Sequence, residues 1–233
     1  MSTFNDFNNM SFDSVASIDM IIGPMYAGKT TELLRRLSIY KEMGLRCCYI
    51  NSDKDNRSSG SFSTHNKVLQ NTKRLDDEFD AYKMPQDLTQ LIELQHKYDV
   101  FGIDEAQMFT NLLSTVCQLV DNHGKKIIMS ALNGDSERKP FGEIIYMIPQ
   151  ADKIIKLEPF CQICAKIGKI TPAIFTKNIV DKTDIIMIGG KETYAAVCRS
   201  CYQLDDTNTT EYSKLSMSSS SSDPDSPSKP LLR

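Results

Sequence analysis

Gly23-Pro-Met-Tyr-Ala-Gly28-Lys29-Thr30, preceded by Ser17-Ile-Asp-Met-Ile-Ile22 and followed by Thr31-Glu-Leu-Leu-Arg-Arg-Leu-Ser-Ile-Tyr40, decides the fold. The octapeptide fits G-x-x-x-x-G-K-[ST], in which glycines turn backbone N–H groups inward around phosphate oxygens, the lysine neutralises the outer phosphates and the hydroxyl ligates Mg²⁺. Its flanks agree with it. The apolar run before it reads as a strand, and Leu33, Leu34, Leu37 and Tyr40 after it share one helical face. A strand, a glycine-bearing turn and a helix N-terminus together make an anion site. Gly23, Pro24, Met25, Tyr26, Ala27, Gly28, Lys29 and Thr30 are therefore the candidate cradle for a nucleoside triphosphate.

Triphosphate chemistry needs an acid near the metal, and the mostly apolar stretch Tyr98-Asp-Val-Phe-Gly-Ile-Asp104-Glu105 supplies two adjacent ones at a strand end. Asp104 is the expected Mg²⁺ ligand, directly or through water, with Thr30. Glu105 is the expected proton acceptor.

Further along, Cys161-x-x-Cys164 and Cys198-x-x-Cys201 form two knuckles separated by a spacer of 33 residues. Two C-x-x-C turns suit tetrahedral Zn²⁺, and four thiolates leave no open position, so the metal reads as structural. The long spacer implies a loop thrown out between the knuckles. The first residues lack a basic region followed by an apolar run, so the expected compartment is the reducing cytoplasm, where disulfides are rare. Cys47, Cys48 and Cys117 lie in apolar segments and read as core.

Composition sets the outer bounds. With 233 residues, 40% hydrophobic and 24% charged, and a net charge of −3, the chain lacks the basic surplus of a nucleic-acid binder. It also lacks an apolar run that would span a bilayer. Strands are expected at 45–50, 98–105, 126–132 and 152–156, with helices at 86–97 and 111–122. That alternation implies an α/β fold: a P-loop NTPase-type, mainly parallel sheet flanked by helices, with a small four-cysteine zinc subdomain. The expected divisions are a disordered tail at 1–16, the α/β domain at 17–156, the zinc subdomain at 157–203 and a disordered serine-rich tail at 204–233.

The cradle with Thr31-Glu-Leu-Leu-Arg-Arg36, Lys54-Asp-Asn-Arg57, Phe62-Ser-Thr-His65, Gly102-Ile-Asp-Glu-Ala-Gln107, Arg138-Lys-Pro-Phe-Gly142, Ile188-Gly-Gly190, Tyr194 and both knuckles together resemble thymidine kinases of the cellular and poxvirus type. The resemblance runs over residues 18–202. It implies transfer of the γ-phosphoryl group of ATP to the 5′-hydroxyl of thymidine, with deoxyuridine as a second acceptor, and commonly a homotetramer. Asp55, Asn56 and Arg57 would lie near the donor phosphates, Lys29, Arg57 and Glu105 would carry catalysis, and Gln107 would share the cleft. Thr176, Ile185, Ile186, Met187, Ile188, Gly189 and Tyr194 would belong to a lasso loop that closes over the nucleoside. The chain departs from the family pattern at Ser136, where an aromatic is expected to stack on the base, and at Met108, where phenylalanine is expected. Phe109 or Phe141 is then expected to line the pocket. A P-loop ATPase or kinase with another acceptor, a zinc-containing nucleic-acid-binding module and a nucleotide-binding kinase relic are the alternatives.

Overall fold

A computed structural model describes residues 16–53, 79–179 and 193–204. The terminal segments expected to be disordered lie almost wholly outside these residues. So do Asp55, Asn56 and Arg57, and the loop stretch Ile185, Ile186, Met187, Ile188 and Gly189.

Six parallel strands form one sheet: β1 (Ser17–Gly23), β2 (Cys47–Ser52), β3 (Asp80–Met84), β4 (Val100–Ile103), β5 (Lys126–Leu132) and β6 (Lys153–Lys156), in the order β3-β2-β4-β5-β1-β6. β1, β2, β4 and β5 are nearly continuous apolar runs because both sheet faces are covered. Successive side chains point to opposite faces. Ile21, Tyr49, Val100 and Ile128 therefore pack with Leu33 and Leu37 of helix α1 (Lys29–Glu42). Met20, Ile50, Phe101, Ile103 and Met129 pack on the other side with Leu88, Leu91, Leu112 and Val116.

The segment expected as a helix at 86–97 is instead a 3₁₀ helix, Leu88–Leu94, capped by Asp87, whose carboxylate accepts from Thr89 N. Its two fully buried residues, Leu88 and Leu91, are three apart, and positions i and i+3 eclipse in 3₁₀ geometry. The helix expected at 111–122 begins as α over Leu112–Cys117 and ends as a π turn over Gln118–Asn122. β3 was not expected at all. It is a sheet-edge strand with one buried residue, Met84, so it carries no apolar signature.

Beyond β6 stands a separate antiparallel pair, β7 (Phe175–Asn178) with β8 (Tyr194–Val197), packed on the four cysteines. No helix among the described residues is long and apolar enough to cross a membrane.

Candidate active site

The cradle follows β1 directly. Gly28 caps α1 at φ 80, a left-handed conformation that glycine adopts without steric cost, and Glu32 N donates to Gly28 O at 3.0 Å to start the helix. Tyr26 also takes a left-handed backbone, φ 65. Lys29 is buried, and its ammonium donates to Pro24 O at 2.9 Å, across the mouth of the turn. Outside contacts steady the same turn. Met25 N donates to Thr176 Oγ1 at 3.0 Å, and the Tyr26 hydroxyl donates to Tyr194 O at 3.3 Å. Thr176 and Tyr194, expected at the nucleoside, thus touch the cradle from β7 and β8.

The acidic pair stands at the same end of the sheet. Asp104 N donates to Ile50 O at 2.8 Å, so the chain leaves β4 still paired to β2. The carboxylate is only 3% exposed, yet it is well supplied with donors. Oδ1 accepts from the Ser130 hydroxyl and from Glu105 N at 3.0 Å, Oδ2 accepts from the Tyr49 hydroxyl at 2.7 Å, and the Thr30 side chain hydrogen-bonds the same group. Burial pushes its pKa up and the neighbouring Glu105 charge adds to the rise, while the three hydroxyls oppose it.

Glu105 takes a left-handed conformation, φ 49, and is half-buried. This turn carries its carboxylate away from the strand, where Gln107 Nε2 donates to Oε2 at 2.6 Å. Gln107 is itself fixed, because its Oε1 accepts from Leu132 N at 3.0 Å. Gly142, at φ 57, lies against Gln107, and a Cβ there would stand 2.4 Å from Gln107 O. Thr30, Asp104, Glu105 and Gln107 are therefore one connected group.

Of the expected pocket residues, Met108 and Phe141 are half-buried. Phe109 is a correction: it packs in the apolar core at 2% exposure with Ala106 and Leu112, because the 3₁₀ turn Ala106–Met108 directs it inward. Ser136 lies on the loop after β5, where its carbonyl accepts from the Tyr202 hydroxyl at 2.8 Å. The Arg138 guanidinium sits over the Tyr202 ring at 4.5 Å and the Phe175 ring at 5.4 Å, which docks this loop on the cysteine subdomain.

Two site residues escaped the sequence reading, Tyr49 and Ser130. A signal existed for the second. Ile103 pairs with Met129 in parallel register, so the next residues, Asp104 and Ser130, stand side by side, and Ser130 is a polar interruption in an apolar strand.

The four cysteine sulfurs lie within 4.8 Å of one another, all buried. The Sγ of Cys164 is 3.8 Å from that of Cys198 and 3.6 Å from that of Cys201. Tetrahedral zinc with Zn–S bonds of about 2.3 Å places sulfurs roughly 3.8 Å apart, so Cys161, Cys164, Cys198 and Cys201 fit that ion. Cys164 N also donates to Cys161 Sγ at 3.5 Å, an arrangement that holds the first knuckle in a turn. The Thr30 hydroxyl and Asp104 carboxylate are hard oxygen donors at one point beside the cradle, which suits Mg²⁺.

A family model described as thymidine kinase matches residues 16–202. The thymidine kinase of Choristoneura biennis entomopoxvirus is 39% identical over 192 residues, covering 82% of this chain and 98% of that protein. The thymidine kinase of Vaccinia virus (strain Ankara) is 36% identical over 185 residues, covering 79% and 96% respectively. That of Myxoma virus (strain Uriarra) is 37% identical over 188 residues, covering 79% and 95%.

Proposed function

The chain belongs to the thymidine kinase family, and from that premise we propose that it transfers the γ-phosphoryl group of ATP to the 5′-hydroxyl of thymidine and of deoxyuridine. The observation that carries this reading is the linked set of Thr30, Asp104, Glu105 and Gln107 beside the glycine cradle.

A sugar alcohol is a weak nucleophile, so its proton must leave as the new bond to phosphorus forms. Glu105 accepts that proton. Its left-handed turn and the hydrogen bond from the Gln107 amide to Oε2 fix where the carboxylate stands. As the 5′-oxygen bonds to phosphorus, the bond from phosphorus to the β,γ-bridging oxygen breaks, and ADP leaves with the electron pair. Lys29, moving from Pro24 O to the phosphates, and Arg57 offset the charge on the γ-phosphoryl oxygens. Thr30 and Asp104 would hold Mg²⁺, whose charge would offset that developing on the phosphates.

Gly23, Pro24, Met25, Tyr26, Ala27 and Gly28 bind the donor, with Asp55 and Asn56 near its phosphates. The nucleoside is assigned, in the same proposal, to Thr176, Tyr194, Met108, Ser136, Phe141 and residues 185–189. Zinc at the four cysteines is structural. A homotetramer in the cytoplasm is part of the same proposal, read out by light scattering and by localisation of a tagged chain.

The deciding experiment measures ADP formation from labelled ATP with each common nucleoside in turn. Thymidine and deoxyuridine should each release ADP together with the labelled 5′-monophosphate. ADP release that requires some other acceptor, or none, would reassign the chain as a different P-loop kinase or an ATPase.

A further inference from the structure

Asp104 is clamped from both neighbouring strands. β4 lies between β2 and β5 in the sheet, and each neighbour contributes one buried hydroxyl to the carboxylate: Tyr49 from β2 to Oδ2, and Ser130 from β5 to Oδ1. Tyr49 is 2% exposed and Ser130 0%. The geometry points to Tyr49 and Ser130 as positioning residues for the metal-binding step, an inference that rests on the Mg²⁺–ATP reading above.

A carboxylate offers about four lone-pair directions. Glu105 N and Ser130 use two on Oδ1, and Tyr49 uses one on Oδ2. The direction left over is the one available to the Thr30 side chain and a metal-bound water at the start of α1. Two donors on opposite oxygens, held by strands on opposite sides, fix the rotation of the carboxylate about its Cβ–Cγ bond. That rotation decides whether Asp104 meets the Thr30 hydroxyl and a metal-bound water or turns away from them. Strand pairing holds only the backbone of Asp104 and the Glu105 N–H reaches Oδ1 alone, so the two hydroxyls complete the orientation. Groups that orient ligands from outside the coordination shell typically contribute about 10–100-fold in metal affinity.

A purely structural role is the competing account, since hydroxyls that satisfy a buried carboxylate also stabilise the fold. The two accounts separate in the coupling between Mg²⁺ and ATP. The experiment titrates a ribose-labelled fluorescent ATP analogue into the full chain in EDTA and again in saturating Mg²⁺, for the parent, Tyr49→Phe, Ser130→Ala and the double variant. Zinc content and Tm are measured alongside. Both substitutions keep the packing volume nearly intact, and Tyr49→Phe alone carries the test should the double variant not fold.

The expected result is that the Mg²⁺-dependent tightening falls about 10-fold in the double variant and by a smaller factor in each single variant, while metal-free affinity changes less than about 2-fold. A lower Tm with unchanged Mg²⁺ coupling would overturn the assignment and leave the two hydroxyls as fold-stabilising groups. A parent chain that binds the analogue equally with and without Mg²⁺ would overturn the Mg²⁺–ATP reading itself, and this inference with it.

Discussion

The backbone N–H of Met25 donates to the Thr176 hydroxyl at 3.0 Å across 151 positions of sequence, and both residues are buried. One end of this bond is in the phosphate cradle and the other in β7, which packs on the cysteine cluster. The cradle's shape is therefore set partly by the second sheet. Glycine-bearing turns have little intrinsic preference for one conformation, so an external partner at Met25 narrows the choice.

Thr176→Val should expose this dependence. It removes the hydroxyl, keeps the branched shape and leaves Met25 N buried with its partner gone, a loss of about 1–3 kcal/mol. Chemical denaturation should show that loss, and ATP affinity should weaken several-fold because the cradle is less well ordered. Unchanged ATP affinity with reduced stability would mean that the bond only joins two sheets.

Glu105→Gln should lower kcat by a factor on the order of 10² to 10⁴ with ATP affinity nearly unchanged, because the amide cannot accept the alcohol's proton. Gln107→Ala should act more mildly, since it removes the donor to Glu105 Oε2 but leaves the carboxylate present. Steady-state kinetics paired with equilibrium nucleotide binding checks both variants. Near-normal turnover in Glu105→Gln would assign the proton to another acceptor.

The stretches legible in the sequence are those where one local pattern coincides with one buried environment. β1 and α1 announce themselves because a continuous apolar run meets a 3.6-residue periodicity at a glycine turn. β3 stays silent, being an edge strand with one buried residue. The clamp on Asp104 was missed for a different reason: it depends on which strands become neighbours, and Tyr49 and Ser130 lie 55 and 26 positions from the carboxylate they hold. Of Phe109 and Phe141, Phe109 goes to the core, because one 3₁₀ turn after Glu105 decides whether that ring faces a cleft or the interior.

The acid limb of stability should depend on Glu32. Its carboxylate accepts from Arg35 Nε at 2.7 Å and from Arg36 Nε at 2.8 Å, and Arg36 continues to Asp19 at 2.9 Å. These hydrogen bonds, Arg35's first, bring the Glu32 pKa from the ordinary 4.5 to about 2, against an opposing push from burial. A carboxyl with a depressed folded-state pKa contributes stability above its unfolded value and loses it as the pH falls through the folded one. Urea unfolding at stepped pH should therefore show the parent more stable than Glu32→Gln at neutral pH. The gap should narrow from about pH 4.5 downward and close near pH 2. The exposed Arg35 side of the pair is screened by salt, so the gap should also shrink at high ionic strength. A gap that stays constant across this range would remove Glu32 from the acid transition.

Zinc should prove structural and should reach the nucleotide site through the same second sheet. The chain should carry one zinc per protomer, and Cys164→Ser should lose it, because three thiolates bind far more weakly than a closed tetrahedron. Cys117→Ser and Cys47→Ser should keep it. Neither residue belongs to the cluster, and burial, helped by Asp99, pushes the Cys47 thiol up to about 11, away from the thiolate form a ligand needs. The knuckle elements should fold around the metal, since Cys161, Cys164, Cys198 and Cys201 belong to the small core that includes Ala173, Ala196 and Val197. Without the ion, three of the five other buried residues of that core are alanines, Ala173, Ala195 and Ala196, a weak anchor for β7 and β8, so Thr176 and Tyr194 should leave the cradle. Metal analysis, Tm and ATP titration on the same Cys164→Ser sample test this chain of consequences. Zinc loss should lower Tm and weaken ATP binding together. An unaltered ATP affinity in zinc-free, folded protein would show that the cradle keeps its shape without support from β7.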